Sequence, residues 1–414
     1  MIKHDVKTGK LDYCQITGSR NLFEAIDLGF QPPCGTLLTA ETIKNPETYY
    51  PLRLMICPES GLGQLDYVLG SSVCFPADYT YRPGISVPLR EHMERLANEV
   101  IAKNKLQHGD LVVDVGGNDG TLLSFFKTKG MKVVNVEPTN MAQVANKDGI
   151  KSIQKFFTKA VAEEIVKKYG KAKVITFTNV FAHMAMLGEV MRGIVSLLHK
   201  DGAVVSESQY LLDVFEGNQF DEIYHDHIRI YSLKSLVNLF PYYGMEVFDA
   251  KRVASREGSI LSSAGFKGRH PITSEVKKIL KVEVDAGLFD PKGWAKFRER
   301  VANRKNQFLD FAQKVKRKGL RLVADSCPTR GVVLLNYYGL HDLPYVSQLP
   351  GTEKIGKYIP GTHTPIVDNK IIVKDEPDYI LILAWHYSDY IIKNWRAKGV
   401  KSKFIIPLPD FKIV

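Results

Sequence analysis

The stretch LVVDVGGNDGTLLSFF, residues 111–126, decides the fold. An apolar run with the character of a buried strand ends near Asp114, a glycine-rich turn follows, and a helical pattern begins directly after it. A NAD-binding fingerprint needs glycines at offsets zero, two and five. Counted from Gly116, the last two of those places hold Asn118 and Thr121. The stretch therefore predicts a strand–turn–helix that brings its backbone close to a ligand other than NAD. A turn that needs glycine only for its own geometry is the alternative.

The sequence on either side extends this unit into a sheet. Further apolar runs of strand length are KVVNV (132–136), KVITFTN (173–179) and AVVSES (203–208). Segments with helical periodicity separate them. Alternation of buried strands with amphipathic helices predicts a doubly wound α/β sheet.

A second set of predicted strands follows near the C-terminus. A region of different composition precedes the first set. The later strands are LRLVADS (320–326), YILILAW (379–385) and KFIIPLP (403–409). The first 86 residues are rich in turns and short strands and hold all but one of the cysteines. We therefore expect three domains: a small N-terminal module (1–86), a nucleotide-binding α/β domain (87–245) and a second Rossmann-like α/β domain (246–414).

Composition excludes several classes of protein. The 414 residues are 44% hydrophobic and 24% charged, which is typical of a globular chain and not of a disordered one. No apolar run approaches the ~20 residues that span a bilayer. Five scattered cysteines and no apolar leader favour the cytoplasm. The net charge of +11 suits an anionic partner, although solvated helix faces also explain the lysine runs. No nucleic-acid motif accompanies the charge, so no nucleic-acid partner is expected. Because no apolar run is long enough to span a bilayer, no membrane partner is expected either.

An acidic residue completes the nucleotide site. Glu137 ends the second strand, 21 residues beyond Gly116, where a carboxylate can accept hydrogen bonds from both ribose hydroxyls. The turn and this carboxylate together resemble the S-adenosylmethionine site of class I methyltransferases. The resemblance implies that the turn at Asp119 and Gly120 faces the amino-acid end of the cofactor. The implied cofactor-binding residues are Asp114, Gly116, Asn118, Asp119, Gly120, Glu137, Pro138 and Asn179.

Two segments carry candidate catalytic groups. FDEIYHDHIRIYSL (220–233) places two histidines and a tyrosine within four residues, too close together for all to reach one metal ion. Histidine can act as a base near neutral pH, and both side chains can stabilise an oxyanion. ITFTNVFAHM (175–184) adds Asn179 and His183 at the carboxyl end of a strand, the edge where α/β sheets bind ligands. A polar loop and a structural histidine are the respective alternatives.

The catalytic segment also carries a family resemblance. YHDHIRIYSL (224–233) is similar to the YHEH…YFSL block of sugar C-methyltransferases, which methylate carbon 3 of nucleotide-activated 4-keto deoxysugars. Blocks along the rest of the chain share this resemblance: IDLGFQP (26–32), YPLRLMICPESGLGQL (50–65), ADYTYRPGIS (77–86), KIGKYIPGTHTPI (354–366) and DYILILAW (378–385).

The resemblance implies a mechanism and a partner. His227 would remove the proton beside the ketone, and the resulting enolate carbon would take the methyl group. The residues implied to orient the sugar or stabilise the enolate are Tyr79, Tyr81, Tyr224, Asp226, Asn179 and His183. Tyr81 could equally be a packed aromatic. The partner is a nucleotide-linked sugar, and the protein is expected to be a monomer or a homodimer.

The chain departs from the family pattern at the N-terminal module. The family binds zinc there through two C-x-x-C pairs, whereas this chain has threonine and serine at the second position of each pair. Only Cys14 and Cys57 remain as metal ligands, so zinc binding is in doubt.

Further departures lie in the blocks expected to contact the acceptor. Asp226 stands where glutamate is usual, and Arg330 stands in an altered turn at the start of a predicted helix, where it would bind an anion. His386 replaces an asparagine and, with His225 and Arg330, is a candidate substrate contact. These changes favour an altered acceptor. The alternatives are a methyltransferase acting on an oxygen, nitrogen or non-nucleotide acceptor, and a binding protein without catalysis.

Overall fold

The computed structural model describes residues 4–74, 82–254 and 258–414. Its strands are β1 (Gly9–Lys10), β2 (Phe23–Gln31), β3 (Tyr50–Ile56), β4 (Gly63–Leu65), β5 (Tyr67–Val68), β6 (Leu111–Val115), β7 (Lys132–Val136), β8 (Ser152–Ile153), β9 (Ala172–Thr178), β10 (Leu198–Gln209), β11 (Arg229–Ile230), β12 (Met245–Val253), β13 (Ser259–Phe266), β14 (Leu322–Asp325), β15 (Val346–Gln348), β16 (Ile366–Asp368), β17 (Tyr379–Ile382), β18 (Lys403–Ile406) and β19 (Lys412–Ile413).

The α-helices alternate with the strands over most of the chain. They are α1 (Ser71–Cys74), α2 (Val87–Lys103), α3 (Thr121–Thr128), α4 (Met141–Lys147), α5 (Lys159–Tyr169), α6 (Leu187–Leu197), α7 (Leu211–Glu216), α8 (Leu233–Leu239), α9 (Ser274–Asp285), α10 (Pro291–Arg317), α11 (Thr329–Tyr338), α12 (Ile371–Asp375) and α13 (Ser388–Ala397).

The central sheet has seven strands in the order β12-β13-β10-β9-β6-β7-β8. The strands from β6 to β10 run parallel, and β13 is antiparallel to β10 and to β12. All five residues of β6 are buried, as expected of a parallel strand covered by helices on both faces. The doubly wound sheet predicted from the sequence is confirmed. Strand order reverses beside β6, so a crevice opens between the carboxyl ends of β6 and β9.

The boundary expected at residue 245 coincides with the first residue of β12, and β12 and β13 are the last two strands of the central sheet. The central sheet therefore extends to Phe266, the end of β13. A hairpin added to a sheet edge does not look different from a linker in the local sequence pattern.

The N-terminal module is an antiparallel sheet in the order β11-β4-β3-β2, with β1 and β5 forming a separate pair. Its outer strand β11 comes from the candidate catalytic segment FDEIYHDHIRIYSL (220–233), far along the chain. Arg229 pairs with Gln64, and Ile230 pairs with Gly63. The segment expected to hold the catalytic histidines is thus joined to the N-terminal module by backbone hydrogen bonds.

The C-terminal sheet has the order β16-β15-β14-β17-β18-β19, with only β19 antiparallel to its neighbour. Strand order reverses beside β14, which creates a second crevice between the carboxyl ends of β14 and β17. The long helix α10 lies against all three units. Arg298 donates to the carbonyl oxygens of Glu24 and Ala25 on β2, Arg300 donates to the carbonyl oxygen of Phe215, and Lys305 donates to that of Tyr337.

In the described part of the chain, no helix combines the length and the apolar character that crossing a membrane requires.

Candidate active site

One cavity of about 690 Å³ lies where the three units meet. This volume is in the range of sites that enclose small molecules. Its walls come from the crevice beside β6, from the catalytic segment, from the N-terminal module and from the turn after β14. The lining includes Cys34, Gly35, Leu37, Cys74, Asp114, Gly116, Asn118, Glu137, Pro138, Phe156, Asn179, His183, Met186, Tyr224, Asp226, His227, Cys327, Thr329, Lys354 and Lys357.

The glycine turn after β6 brings backbone to the cavity wall. Gly116 has a φ of +70°, and a Cβ placed there would lie 2.5 Å from the Cγ1 atom of Val180. A Cβ on Gly117 would lie 2.6 Å from the Oδ2 atom of Asp114. Because neither position has room for a Cβ, the turn packs directly against Val180 and Asp114 while its backbone lines the cavity.

Glu137 is fixed at the carboxyl end of β7. Its Oε2 atom accepts a hydrogen bond from the backbone N–H of Asn118 at 3.1 Å. Its Oε1 atom accepts from the N–H and the hydroxyl of Thr139 at 2.9 and 2.7 Å. The carboxylate is 5% exposed and lines the cavity with Pro138. It is therefore held in place to accept hydrogen bonds from ribose hydroxyls.

Asn179 lies in an unusual backbone conformation on the opposite side of the crevice. Its φ is +56°, and its N–H donates to the carbonyl oxygen of Glu207 at 2.7 Å. Its side-chain oxygen is buried and has no hydrogen-bond partner among the described residues. A left-handed residue with an unsatisfied amide oxygen at a cavity wall is typical of a ligand contact.

Two of the expected cofactor residues do not line the cavity. The Oδ1 atom of Asp119 accepts from the hydroxyl of Thr121 at 2.6 Å, and its Oδ2 atom accepts from the N–H of Gly84 at 3.2 Å. Gly120 packs against Ile150. The carboxylate of Asp119 thus holds the start of α3, and its expected contact with the amino-acid end of the cofactor stays a prediction.

Asp114 borders the cavity beneath the glycine turn. Its Oδ1 atom accepts from the hydroxyl of Thr176 at 2.6 Å. Burial raises the pKa of Asp114 to about 7. This carboxyl group can therefore hold a proton near neutral pH and donate a hydrogen bond.

The two candidate catalytic histidines lie side by side, with ring centroids 4.9 Å apart. The Nδ1 atom of His183 is 2.6 Å from the carbonyl oxygen of Asp226, and the Nδ1 atom of His227 is 2.7 Å from that of Glu222. A carbonyl oxygen only accepts, so each Nδ1 carries the proton. In the neutral ring this leaves the basic lone pair on Nε2.

Tyr224 and Asp226 complete this part of the wall. The ring of Tyr224 lies 3.9 Å from that of His227, centroid to centroid. Asp226 lies beside Cys34 and Cys74, and burial raises its pKa to about 7. The structure thus brings together Asn179, His183, Tyr224, Asp226 and His227. The two other predicted catalytic residues, Tyr79 and Tyr81, lie outside the described residues.

Arg330, expected to contact an anion, is not among the residues that line the cavity. Its Nε and Nη2 atoms donate to the two carboxylate oxygens of Asp221, each at 2.8 Å. Its Nη1 atom lies 2.6 Å from Glu222, and its guanidinium stacks on Trp385 at 4.5 Å. Two carboxylates already neutralise this cation, so Arg330 fixes the turn before Tyr224 to the C-terminal domain.

His225 and His386 also lie away from the cavity. His225 is 1% exposed and faces the ring of Tyr50 edge-on. Burial lowers the pKa of His225 to about 4, so it stays neutral near pH 7. His386 lies in a short turn after β17, with its ring 4.3 Å from that of Tyr387. Neither ring is among the lining residues, so the structure does not support them as substrate contacts.

Among the lining residues that sequence reasoning missed are two lysines and two exposed apolar residues. Lys354 and Lys357 enter the wall from the C-terminal domain, and Lys354 donates to the carbonyl oxygen of Cys327 at 2.7 Å. Phe156 and Met186 are apolar residues with 59% and 53% exposure at the cofactor side. The spacing in KIGK could have drawn attention to the lysines, whereas no local signal marked Phe156 or Met186.

The residues expected to hold zinc form a different arrangement. Cys14 and Cys57 are fully buried, with Thr17 and Ser60 beside them at the places of the missing thiols. No group of three or more His, Cys, Asp and Glu side chains in the described part of the chain could hold a metal ion. Two thiols and two neutral hydroxyls do not match the thiolate and imidazole ligands of structural zinc sites.

Comparison with known proteins shows which families and relatives this chain resembles. Three family descriptions match in succession: "Putative zinc binding domain" over residues 14–75, "Methyltransferase domain" over 89–250 and "C-methyltransferase C-terminal domain" over 255–409. C-methyltransferase NovU of Streptomyces niveus is 31% identical over 409 residues, which is 98% of this chain and 97% of the relative.

Solved structures align with part of the chain. The PH0226 protein of Pyrococcus horikoshii is 16% identical, with 48% of this chain and 98% of that chain covered at a TM-score of 0.35. Magnesium protoporphyrin IX methyltransferase of Synechocystis, with bound S-adenosylmethionine, is 13% identical, with 44% and 82% covered at a TM-score of 0.33.

The sheet order, the glycine turn and the matching family description together define a class I methyltransferase that uses S-adenosylmethionine. The chain belongs to the C-methyltransferase family. The resemblance, the fold class and the cofactor predicted from the sequence are confirmed at this level.

Proposed function

We propose that this C-methyltransferase acts on a nucleotide-linked keto-deoxysugar and methylates the carbon beside its ketone, with His227 as the base. The observation that carries the proposal is the single cavity that joins the cofactor residues, two adjacent imidazoles and two lysines. Each part supports one requirement of the reaction.

The cofactor end suits S-adenosylmethionine. Gly116 brings its backbone to the cavity wall, Glu137 presents a fixed carboxylate, and Asn179 has an unsatisfied amide oxygen. When bound, S-adenosylmethionine supplies an electrophilic methyl group whose bond to sulfur breaks as the new carbon–carbon bond forms.

His227 is suited to accept the proton of the acceptor carbon. Its Nδ1 proton is held by the carbonyl oxygen of Glu222, so the ring presents the Nε2 lone pair in a fixed orientation. Removing the proton beside a ketone leaves an enolate, and its oxygen needs hydrogen-bond donors. Tyr224, Asn179 and protonated Asp226 border the same space and can donate. After methyl transfer the ketone is restored and the proton remains on His227.

The two lysines support an anionic acceptor. Lys354 and Lys357 line the cavity from the C-terminal domain. A nucleoside diphosphate attached to the sugar would place its negative charges against these ammonium groups. This assigns to the lysines the role that the sequence suggested for Arg330.

Solvent exchange at the acceptor carbon tests the proposal. The protein is incubated in D₂O with S-adenosylhomocysteine and each of several nucleotide-linked 4-keto deoxysugars, and mass spectrometry follows deuterium uptake. We expect uptake at the carbon beside the ketone with at least one sugar, and methylation of that carbon when S-adenosylmethionine replaces S-adenosylhomocysteine. Methyl transfer to oxygen or nitrogen without deuterium uptake would contradict the proposal. Binding of both ligands without any turnover would favour a binding protein.

A further inference from the structure

We infer that the N-terminal module holds its two cysteine turns together through a buried thiol–hydroxyl cluster and needs no zinc. The cluster consists of Cys14, Thr17, Cys57 and Ser60, and is called the knuckle cluster below. The inference goes beyond the family description, which names this region for zinc.

Both turns keep a shape that presents a thiol inward. In the first turn the N–H of Gly18 donates to the carbonyl oxygen of Cys14 at 2.8 Å. In the second turn the N–H of Gly61 donates to that of Cys57, also at 2.8 Å. Backbone N–H groups of Ile16 and Thr17 point at the Sγ atom of Cys14, at 3.4 and 3.5 Å. The turns are therefore formed by the chain itself.

The contacts between the turns are reciprocal. Ser60 of the second turn lies with its Oγ atom 3.2 Å from the Sγ atom of Cys14 in the first. Thr17 of the first turn lies with its Oγ1 atom 3.9 Å from the Sγ atom of Cys57 in the second. Each hydroxyl thus stands where a second thiolate would be and bonds to the thiol of the opposite turn. Cys14, Cys57 and Ser60 are all fully buried, so these contacts are shielded from water.

Replacing a metal by this cluster is chemically consistent. A structural zinc site draws its four ligands from thiolates and imidazoles, and only two thiols are present here. Two thiolates would balance the charge of the ion, but the other two positions would be left to neutral hydroxyls, which are poor zinc ligands at neutral pH. The hydroxyls instead satisfy the polar hydrogen-bonding groups of the two turns without adding charge.

The second turn also supports the candidate active site. The hydroxyl of Ser232 donates to the carbonyl oxygen of Gly61 at 2.8 Å, and the Nζ atom of Lys234 donates to that of Pro58 at 2.7 Å. Ser232 and Lys234 follow His227 in the chain. Strand β11, which lies between His227 and Ser232, pairs with β4. The knuckle cluster therefore stabilises, without a metal, the wall that carries the histidines.

Metal analysis of the full-length protein tests the inference. The protein is produced in zinc-supplemented medium, and elemental analysis is combined with thermal unfolding in the presence and absence of EDTA. We expect far less than one zinc per chain and a Tm that EDTA leaves unchanged. One zinc per chain, with a Tm that EDTA lowers, would overturn the inference.

Two variants test the cluster itself. Ser60→Ala should lower the Tm by a few °C, since it removes the hydroxyl that bonds to the Cys14 thiol, while Ser274→Ala, at an exposed position at the start of α9, is the control. The double variant Thr17→Cys/Ser60→Cys restores four thiols and should bind about one zinc and become sensitive to EDTA. An unchanged Tm in Ser60→Ala would contradict the hydrogen-bonded cluster even if zinc is absent. Metal content of the unaltered protein decides the question if the double variant fails to fold.

Discussion

The ring of His183 is fixed to the backbone of Asp226: its Nδ1 atom lies 2.6 Å from the carbonyl oxygen of that residue. His183 follows β9 of the central sheet, whereas Asp226 belongs to the segment that continues into β11 of the N-terminal module. One hydrogen bond therefore joins the crevice beside β6 to the segment that carries His227, the proposed base. In the proposed reaction, the relative position of cofactor and acceptor depends on this junction.

Replacing His227 by glutamine should remove catalysis but not cofactor binding. Loss of a positioned base costs about 10²–10⁴-fold in rate. We expect both deuterium uptake and methyl transfer to fall by that factor, with an unchanged Kd for S-adenosylhomocysteine by calorimetry. His225→Gln is the matched control, because that neighbouring ring faces Tyr50 instead of the cavity. Equal losses in the two variants would rule out a specific role for His227.

Gly116→Ala should weaken cofactor binding by at least about tenfold. The added Cβ would lie 2.5 Å from Val180, and alanine at a φ of +70° also costs about 1–2 kcal/mol of strain. Gly244→Ala carries strain at the same φ of +70° but meets nothing within 4 Å. Calorimetric titration of both variants with S-adenosylhomocysteine separates the effect of the contact with Val180 from the effect of backbone strain. Similar affinities for the two variants would show that the close approach of Gly116 is unimportant.

Arg330→Met should act on stability. Removing this cation leaves the buried carboxylates of Asp221 and Glu222 without their partner, and such losses cost about 3–5 kcal/mol. Urea unfolding should show the loss, while Arg317→Met at the exposed end of α10 should be nearly neutral. If the Arg330→Met protein were stable but had a raised KM for the acceptor, the result would instead support a role of Arg330 in binding an anion.

Lys357→Met should raise the KM for a nucleotide-linked acceptor by about tenfold, which corresponds to ~1.4 kcal/mol of binding. The Kd for S-adenosylhomocysteine should not change, because Lys357 lines the cavity on the side of the C-terminal domain. Lys374→Met, on α12, is the control. Steady-state kinetics at low and moderate salt provide the measurement, and an unaltered KM would count against an anionic acceptor at this wall.

Asp226 predicts a pH dependence of stability. Burial raises its pKa to about 7 in the folded protein, against an ordinary value near 3.8. The folded state therefore favours the protonated acid, so its contribution to stability is full below about pH 4 and is lost as pH rises through 7. Asp226→Asn cannot titrate, so its Tm relative to that of the unaltered protein should increase between pH 5 and pH 8. A constant difference would show that this carboxyl group does not titrate in that range.

Local patterns predicted most of the central fold. The strands β6, β7, β9 and β10 were found because parallel strands buried on both faces need continuous apolar runs. The hairpin of β12 and β13 was not assigned to this sheet, because pairing with β10 is a relation between distant segments. Periodicity reports how a segment is buried but not which strand it meets.

The candidate site shows the same limit. Asn179, His183 and His227 were found because the ends of strands and clusters of titratable side chains are visible in sequence. Arg330 was assigned to an anion from its place at a helix start, and its true partner Asp221 lies 109 residues away. A charged residue can be recognised locally, but whether its charge is already neutralised depends on the tertiary structure.

The crossing of β11 into the N-terminal sheet has a consequence for engineering. A chimera that exchanges residues 1–86 with those of a relative would separate β4 from the strand it was selected to pair with, since Arg229 and Ile230 would remain behind. Those two residues also lie within three positions of His227, the proposed base. Recombining acceptor preferences among such enzymes therefore requires the graft to include residues 220–238, even though they lie outside the transplanted module in the linear chain.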